Sequence, residues 1–501
     1  MATGPKILLV NLPWQKDGRW GVRAGSRWPH LKDASEGDYM PFPFFLAHAS
    51  SLLKRNGFNA GILDCAAERM PESVFMENIR SMAPDILVAE TSVPSFMDDM
   101  KALKNLACSG RTIILCGPNS LIYEESFLKD HSFIDYVLRA EYEFTLLELV
   151  QSRLTGRDMR KVKGLIYRDA GKIVKTPERG PFDVDLLPWP DRAGLPMEKY
   201  LDAPGEMPTP SVQMLASRGC PFGCNFCLWP QVMYRGRHYR ARSVKDVVDE
   251  MEYLIREMKF KSVYFDDDTW NIGRDRILDF CKEIRKRGLH TTPWAIMARA
   301  DLMDRELLKE LKAAGLWAVK YGVESGAQSL VKRSNKNMRL KDSFRMITLT
   351  KALGIKVHLT FCFGLEGETK ETIRDSIKQA LILGPDSVQF SILTPFPGTA
   401  LFNSLDNSGR ILTRDWSKYD GHYHCVFKPD RLSLGDLEQA KARAYQVWGE
   451  YARRRMGFLT GLKRFLNYMR ARGIVFAVSK ALRYIKYRCE YARLSASRPG
   501  D

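Results

Sequence analysis

Three cysteines of this chain are spaced to act together. They are Cys220, Cys224 and Cys227, in the run Cys220-Pro221-Phe222-Gly223-Cys224-Asn225-Phe226-Cys227. Three thiolates on one short loop can hold three irons of a cubane and leave the fourth iron open to a substrate or cofactor. Gly219 and Gly223 let the backbone wrap closely around such a group. The same residues could instead form a zinc site or stand as three free thiols. Structural zinc asks for four protein ligands, and only His238 is near enough in sequence to complete the set. The remaining seven of the ten cysteines are scattered. That is no disulfide framework, and it points to a reducing cytoplasm.

Other residues could do chemistry beside this loop. Phe265-Asp266-Asp267-Asp268 closes an apolar run, and three carboxylates buried there would need a cationic ligand or else sit in a solvated, capping turn. Arg299 could meet a carboxylate or form a surface ion pair. Gly322-Val323-Glu324-Ser325-Gly326 and Gly364-Leu365-Glu366-Gly367-Glu368-Thr369 also end apolar runs. Tyr419, His422 and His424 could line a substrate cavity or a surface loop.

The elements that must position these groups read as α/β throughout. Strands at 6–10, 60–64, 86–90, 112–116 and 136–139 alternate with helices at 44–56, 72–82, 96–107 and 143–154, a pattern for a doubly wound parallel sheet over 1–154. Residues 155–210 read as a proline-rich connector with a hairpin of 164–168 on 172–175. Over 211–400, strands at 212–215, 262–265, 293–298, 318–323, 356–363 and 387–393 alternate with helices, which suggests an incomplete barrel. Active-site groups of barrels gather at the C-terminal strand ends, where the cysteine loop, Asp267, Glu324 and Gly364 all fall. Residues 401–501 read as a basic helical region.

The cysteine spacing, the aromatic Phe226 before the third cysteine and the position after the first barrel strand resemble the radical S-adenosylmethionine (SAM) superfamily. The resemblance implies a [4Fe–4S] cluster on Cys220, Cys224 and Cys227. It also implies a SAM pocket that includes Phe226, Asp267, Glu324, Ser325, Gly364 and Glu368, with electrons from a donor such as flavodoxin or ferredoxin. A doubly wound domain ahead of the barrel resembles the cobalamin-binding subclass, through Cys116-Gly117-Pro118-Asn119-Ser120 and Asp135 to Glu143. It implies an N-terminal Rossmann-like cobalamin-binding domain and a partial (β/α)6 TIM-type barrel, with Asp64, Ser92, Gly117, Pro118, Asn119 and Glu141 toward cobalamin. The chain departs from many cobalamin proteins in lacking D-x-H-x-x-G after the first strand, where it reads Asn11-Leu12-Pro13-Trp14-Gln15-Lys16. Bound cobalamin would therefore lack that histidine ligand, and a domain that binds nothing is the alternative. The methylthiotransferase branch would need a second cluster, for which Cys65, Cys108 and Cys116 are candidates, but they read better as small buried hydrophobes. The implied reaction is methyl transfer to an unactivated carbon. The alternatives are a ring closure or rearrangement, or a non-enzymatic iron–sulfur protein at a membrane surface.

Charge is uneven. The chain carries +18, yet residues 441–501 alone hold 15 Lys or Arg against 3 Asp or Glu. An amphipathic basic stretch with Leu462, Phe465, Leu466 and Met469, then Val478, Ala481, Leu482, Ile485 and Cys489, could lie on an anionic membrane surface and take a lipid or lipid-linked substrate. It could equally pack with its charges solvated. No RNA-reading motif supports nucleic acid. No secretory signal and no apolar run of about 18 residues is visible, so a cytoplasmic protein, peripheral to the membrane if the tail binds it, is expected.

Overall fold

The computed structural model describes residues 4–33, 39–107, 110–421 and 423–472, with side-chain surroundings through residue 453. Cys108, His422 and the stripe from Val478 to Cys489 lie outside the described residues, as do the side chains of Leu462 to Met469. The chain divides into two compact units, 1–441 and 442–501.

The first unit begins with a seven-stranded sheet. Its order is Lys172–Lys175, Leu165–Asp169, Tyr136–Leu138, Thr112–Cys116, Ile86–Glu90, Lys6–Asn11, Asn59–Asp64. The last five are parallel, and the apolar runs Ile7–Val10 and Ile86–Ala89 are buried on both faces, as strands covered by helices on two sides must be. The hairpin read from sequence forms and extends this sheet antiparallel, because Leu165, Ile166 and Tyr167 carry buried side chains that a free connector could not hide. Strand order reverses between Lys6–Asn11 and Ile86–Glu90, so the crevice beyond Asn11 and Glu90 is the switch point where such sheets bind ligands. One feature was not legible in the sequence. Residues 15–32, to which the sequence reading assigned no element, fold into a three-stranded antiparallel strap of Gln15–Lys16, Arg19–Val22 and His30–Lys32.

Six parallel strands follow in chain order: Ser211–Met214, Ser262–Phe265, Trp294–Ala298, Leu316–Glu324, Lys356–Phe363 and Ser387–Ile392. The first and last do not pair, so the barrel is open, as expected. Helices return the chain between strands, and three start on side-chain caps. Ser243 accepts from the Asp246 amide, Asp304 from Leu307, and Thr369 forms a reciprocal capping box with Thr372. Phe265, Trp270, Phe280 and Trp294 pack edge-on beneath the second and third strands. The sheet and barrel share a core: Leu228, Val232, Phe396 and Phe402 pack with Leu12 and Val93 on one sheet face, and Trp229, Met233 and Tyr234 with Phe45 and Tyr142 on the other.

A helix spans Leu434–Arg472. Among the described residues no helix is long and apolar enough to cross a membrane.

Candidate active site at the cysteine loop

The loop is built from the first barrel strand outward. The Asp267 carboxylate accepts from the Ala216 amide at 3.1 Å and from the Ser217 hydroxyl, fixing the strand end. Ser217–Arg218 then pairs antiparallel with Arg240–Ala241. Gly219 turns the chain at φ +86°, and a Cβ there would overlap the His238 carbonyl oxygen. Beyond it, the backbone of the cysteine run is tied down from outside. Gln231 Nε2 lies 3.3, 3.2 and 2.7 Å from the carbonyl oxygens of Cys224, Asn225 and Cys227, and its Oε1 accepts from the Ala400 amide at 2.7 Å. Asn335 donates to the Gly223 carbonyl at 2.7 Å, and the Asn225 amide donates to Ser334 at 3.0 Å. The backbone is satisfied in this way, and the three thiols stand together on the loop, none of them in a disulfide.

Cys220, Cys224 and Cys227 are all half-buried. Burial pushes each thiol above its ordinary pKa, Cys227 furthest. Thiolates there need a strongly cationic partner, which the irons of a cluster would be. Among the described residues, no three His, Cys, Asp or Glu side chains are grouped as ligands of a single metal ion. Cys220 Sγ lies 3.3 Å from the Thr269 hydroxyl, and the Arg299 guanidinium stacks 3.7 Å from the Phe222 ring centre. Arg299 is buried and meets a carboxylate, that of Asp301 at 2.8 Å.

The other residues singled out from sequence divide by surroundings. Glu324 ends the fourth strand in a left-handed conformation, φ +68°, with Lys336 Nζ at 2.6 Å. Gly364, φ +101°, donates its amide to Glu368, whose second carboxylate oxygen is buried without a partner. Burial pushes the Glu368 pKa up to about 8. Phe226 packs with Leu330, Cys362, Leu365 and Phe427. Ser325, by contrast, faces the helix Lys370–Leu383, 3.2 Å from the Ser376 hydroxyl. Asp267 is buried, and burial raises its pKa to about 6. The cation that the neighbouring carboxylates require is supplied by the protein: Arg27 of the strap pairs with Asp266 at 2.7 Å and Asp268 at 3.2 Å. The expectation of a cationic ligand is corrected to that extent, since the sequence separation of some 240 residues hid the pair.

Toward the switch point, Gly117, φ +110°, presses its backbone on Thr91, whose carbonyl oxygen would lie 2.6 Å from a Cβ. Pro118 and Asn119 are buried, and the Asn119 side-chain amide nitrogen is without a hydrogen-bond partner. Ser92 bonds Ser95 at 2.8 Å. Asp64 accepts from Asn11, the Ala67 amide and Tyr200, and is fully used as a cap. Glu141 is paired with Arg218 at 3.2 Å and Arg240 at 2.7 Å. Tyr419 is core, its hydroxyl on the Thr413 carbonyl, and does not line a cavity. His424 pairs with Asp420 at 2.7 Å, which raises its pKa. Cys65, Cys116, Cys281 and Cys362 are buried, and Cys65 and Cys116 each pack in an apolar core cluster.

Residues 214–380 match the family model of the radical SAM superfamily. The chain is 31% identical over 381 residues to an uncharacterized methyltransferase of Pyrococcus horikoshii, covering 75% of this chain and 81% of that protein. It is 31% identical over 409 residues to the anaerobic magnesium-protoporphyrin IX monomethyl ester cyclase of Rubrivivax gelatinosus, covering 79% and 71%. Its fold matches the radical SAM methyltransferase TsrM from Kitasatospora setae, solved with cobalamin and a [4Fe–4S] cluster, at TM-score 0.66 and 18% identity over 91% of this chain and 90% of that one. The chain belongs to the radical SAM superfamily. It is an enzyme of that superfamily with the doubly wound domain and partial barrel of the cobalamin-dependent members.

Proposed function

We propose that this enzyme is a cobalamin-dependent radical SAM methyltransferase acting on an unactivated carbon of a small-molecule substrate. The observation that carries the reading is the C-x3-C-x2-C loop at the mouth of the open barrel, its backbone bonded elsewhere and its three thiols together and free of disulfides. In this reading Cys220, Cys224 and Cys227 hold a [4Fe–4S] cluster. Phe226, Glu324, Gly364 and Glu368 border SAM on the barrel side. Ser92, Gly117, Pro118 and Asn119 border cobalamin at the switch point, with Asp64 and Glu141 acting by positioning. When bound, these groups supply reductive cleavage of SAM to a 5′-deoxyadenosyl radical and a carrier for the methyl group. The protein's part is to hold them in a dry cavity, orient the substrate carbon and exclude water. An external donor such as flavodoxin or ferredoxin supplies the electron.

Anaerobic reconstitution with iron, sulfide and hydroxocobalamin tests this. Iron, cobalt, the visible spectrum and 5′-deoxyadenosine after addition of dithionite and SAM are the readouts. Cluster, retained cobalt and 5′-deoxyadenosine together support the reading. Cluster and 5′-deoxyadenosine without cobalt would remove its cobalamin half. A wild type with no more iron than a Cys224→Ala variant would sink it.

The similarity to the Rubrivivax cyclase favours one second reading, ring closure without net methylation. Transfer of label from methyl-labelled SAM into product separates the two. The basic residues of 441–501 support an added property, attachment to an anionic membrane surface. Failure to float with anionic liposomes at low salt would discard it.

A further inference from the structure

The strap at 15–32 is unexplained by the reading above, yet it touches both halves of the site. Its turn is set by Gly25, φ +77°, where a Cβ would overlap the Phe42 carbonyl oxygen. That turn sends two arginines four residues apart in different directions. Arg23 is buried and forms an ion pair with Asp99 at 2.5 Å, while also donating to the Glu90 carbonyl at the switch point. Arg27 enters the barrel mouth. Its Nη1 meets the Asp266 carboxylate at 2.7 Å, its Nη2 the Asp266 carbonyl at 2.7 Å, and its Nε the Asp268 carboxylate at 3.2 Å. The second Asp268 oxygen accepts from the Gly219 amide at 3.2 Å, one residue before Cys220. The Asp268 carbonyl accepts from the Thr269 hydroxyl, which also lies 3.3 Å from Cys220 Sγ. All three charged side chains are largely buried, at 15%, 7% and 8% exposure, so their fields are weakly screened.

We propose that Arg27 is a positioning residue that ties the strap, anchored at the switch point, to the cysteine loop, and that its charge, balanced against Asp266 and Asp268, sets the reduction potential of the cluster held there. The proposal rests on the cluster reading above. A fork-shaped guanidinium is needed, because one cation must reach two carboxylates and a carbonyl at once. Reduction adds an electron to the cluster, so nearby uncompensated negative charge opposes it and nearby positive charge favours it. As paired, the three groups sum to one negative charge. Arg27→Met makes that two, and Asp266→Asn makes it zero while leaving an oxygen for Arg27 to reach.

The test is the midpoint potential and electron paramagnetic resonance spectrum of the reduced cluster, at pH 8, in reconstituted full-length protein. Arg27→Met shifts the potential to more negative values and Asp266→Asn to more positive ones. Arg27→Lys keeps the potential near wild type but broadens the resonance signal, since charge is retained and the fork is lost. Unchanged potentials in the cluster-loaded variants, or shifts of the same sign for Arg27→Met and Asp266→Asn, would overturn the proposal. If Arg27→Met does not load a cluster, Asp266→Asn decides alone, and an unshifted potential overturns it. A wild type without a cluster is a different failure: it overturns the functional reading and the proposal with it.

Discussion

At Gly219 the backbone runs at φ +86° with the His238 carbonyl oxygen against its α-carbon. Any side chain there pays twice, in a left-handed conformation costing about 1–3 kcal/mol and in the displacement of the strand at Arg240–Ala241. Gly219→Ala is expected to lower the iron content of reconstituted protein sharply while leaving far-ultraviolet circular dichroism unchanged; a fully loaded cluster would refute this. Glu368 makes a second prediction. Its pKa, near 8 against an ordinary 4.5, means the native state keeps a proton that the unfolded chain loses. Stability from this group is therefore full below about pH 4.5 and is lost as pH rises to about 8, by on the order of a few kcal/mol. Glu90, at about 7, and Asp267, at about 6, slope the same way, so the comparison must be with Glu368→Gln. Urea titrations between pH 5 and 9 should show the wild type losing stability more steeply than the variant. Parallel curves would mean the carboxyl is not held neutral.

The helices that return the chain around the barrel depend on their caps. The Thr369 hydroxyl accepts from the Thr372 amide while the Thr369 amide donates to the Thr372 hydroxyl, so Thr369→Ala, which removes the first bond, should cost about 1 kcal/mol and move the urea midpoint accordingly. An effect below experimental error would show that the helix is held by packing alone. The barrel strands were legible, because their apolar runs are bounded by glycine and charge. The cysteine motif was legible because its three cysteines lie within eight residues. What sequence hid is what distance hides. Arg27 lies some 240 residues from its carboxylates, and Gln231 clamps the cysteine loop through backbone carbonyls that carry no side-chain signature. The strap was missed because Gln15–Lys16 is two exposed residues and Arg19–Val22 only four, too short to show a strand period, although Val22 is buried in an apolar cluster with Met40 and Phe42. Tyr419 was misplaced because an aromatic beside two histidines looks like a site, whereas here the ring fills the sheet core.

Across the first compact unit, the sheet and barrel are joined by charge as well as by apolar packing. Arg218, two residues before the first cysteine, is 3% exposed, and it pairs with Glu141 at 3.2 Å and Glu143 at 2.6 Å while stacking on Phe45 at 4.5 Å. Burial raises the Glu141 pKa, and Arg218 and Arg240 oppose that rise. Removing Arg218 would strand Glu143, which is wholly buried, without its cation, and breaking such a pair costs about 3–5 kcal/mol. Glu141 would retain Arg240 at 2.7 Å, so the loss should trace mainly to Glu143. Arg218→Met is therefore expected to destabilise strongly, and adding Glu143→Gln should recover a large part of the loss, because it removes the stranded charge. Since Leu228, Val232, Phe396 and Phe402 share a core with the sheet, residues 1–441 should still unfold in one transition. Urea unfolding followed by tryptophan fluorescence and by circular dichroism checks both points. Arg218→Met within 1 kcal/mol of wild type, or two separated transitions in the wild type, would show that sheet and barrel are held together less tightly than these contacts require.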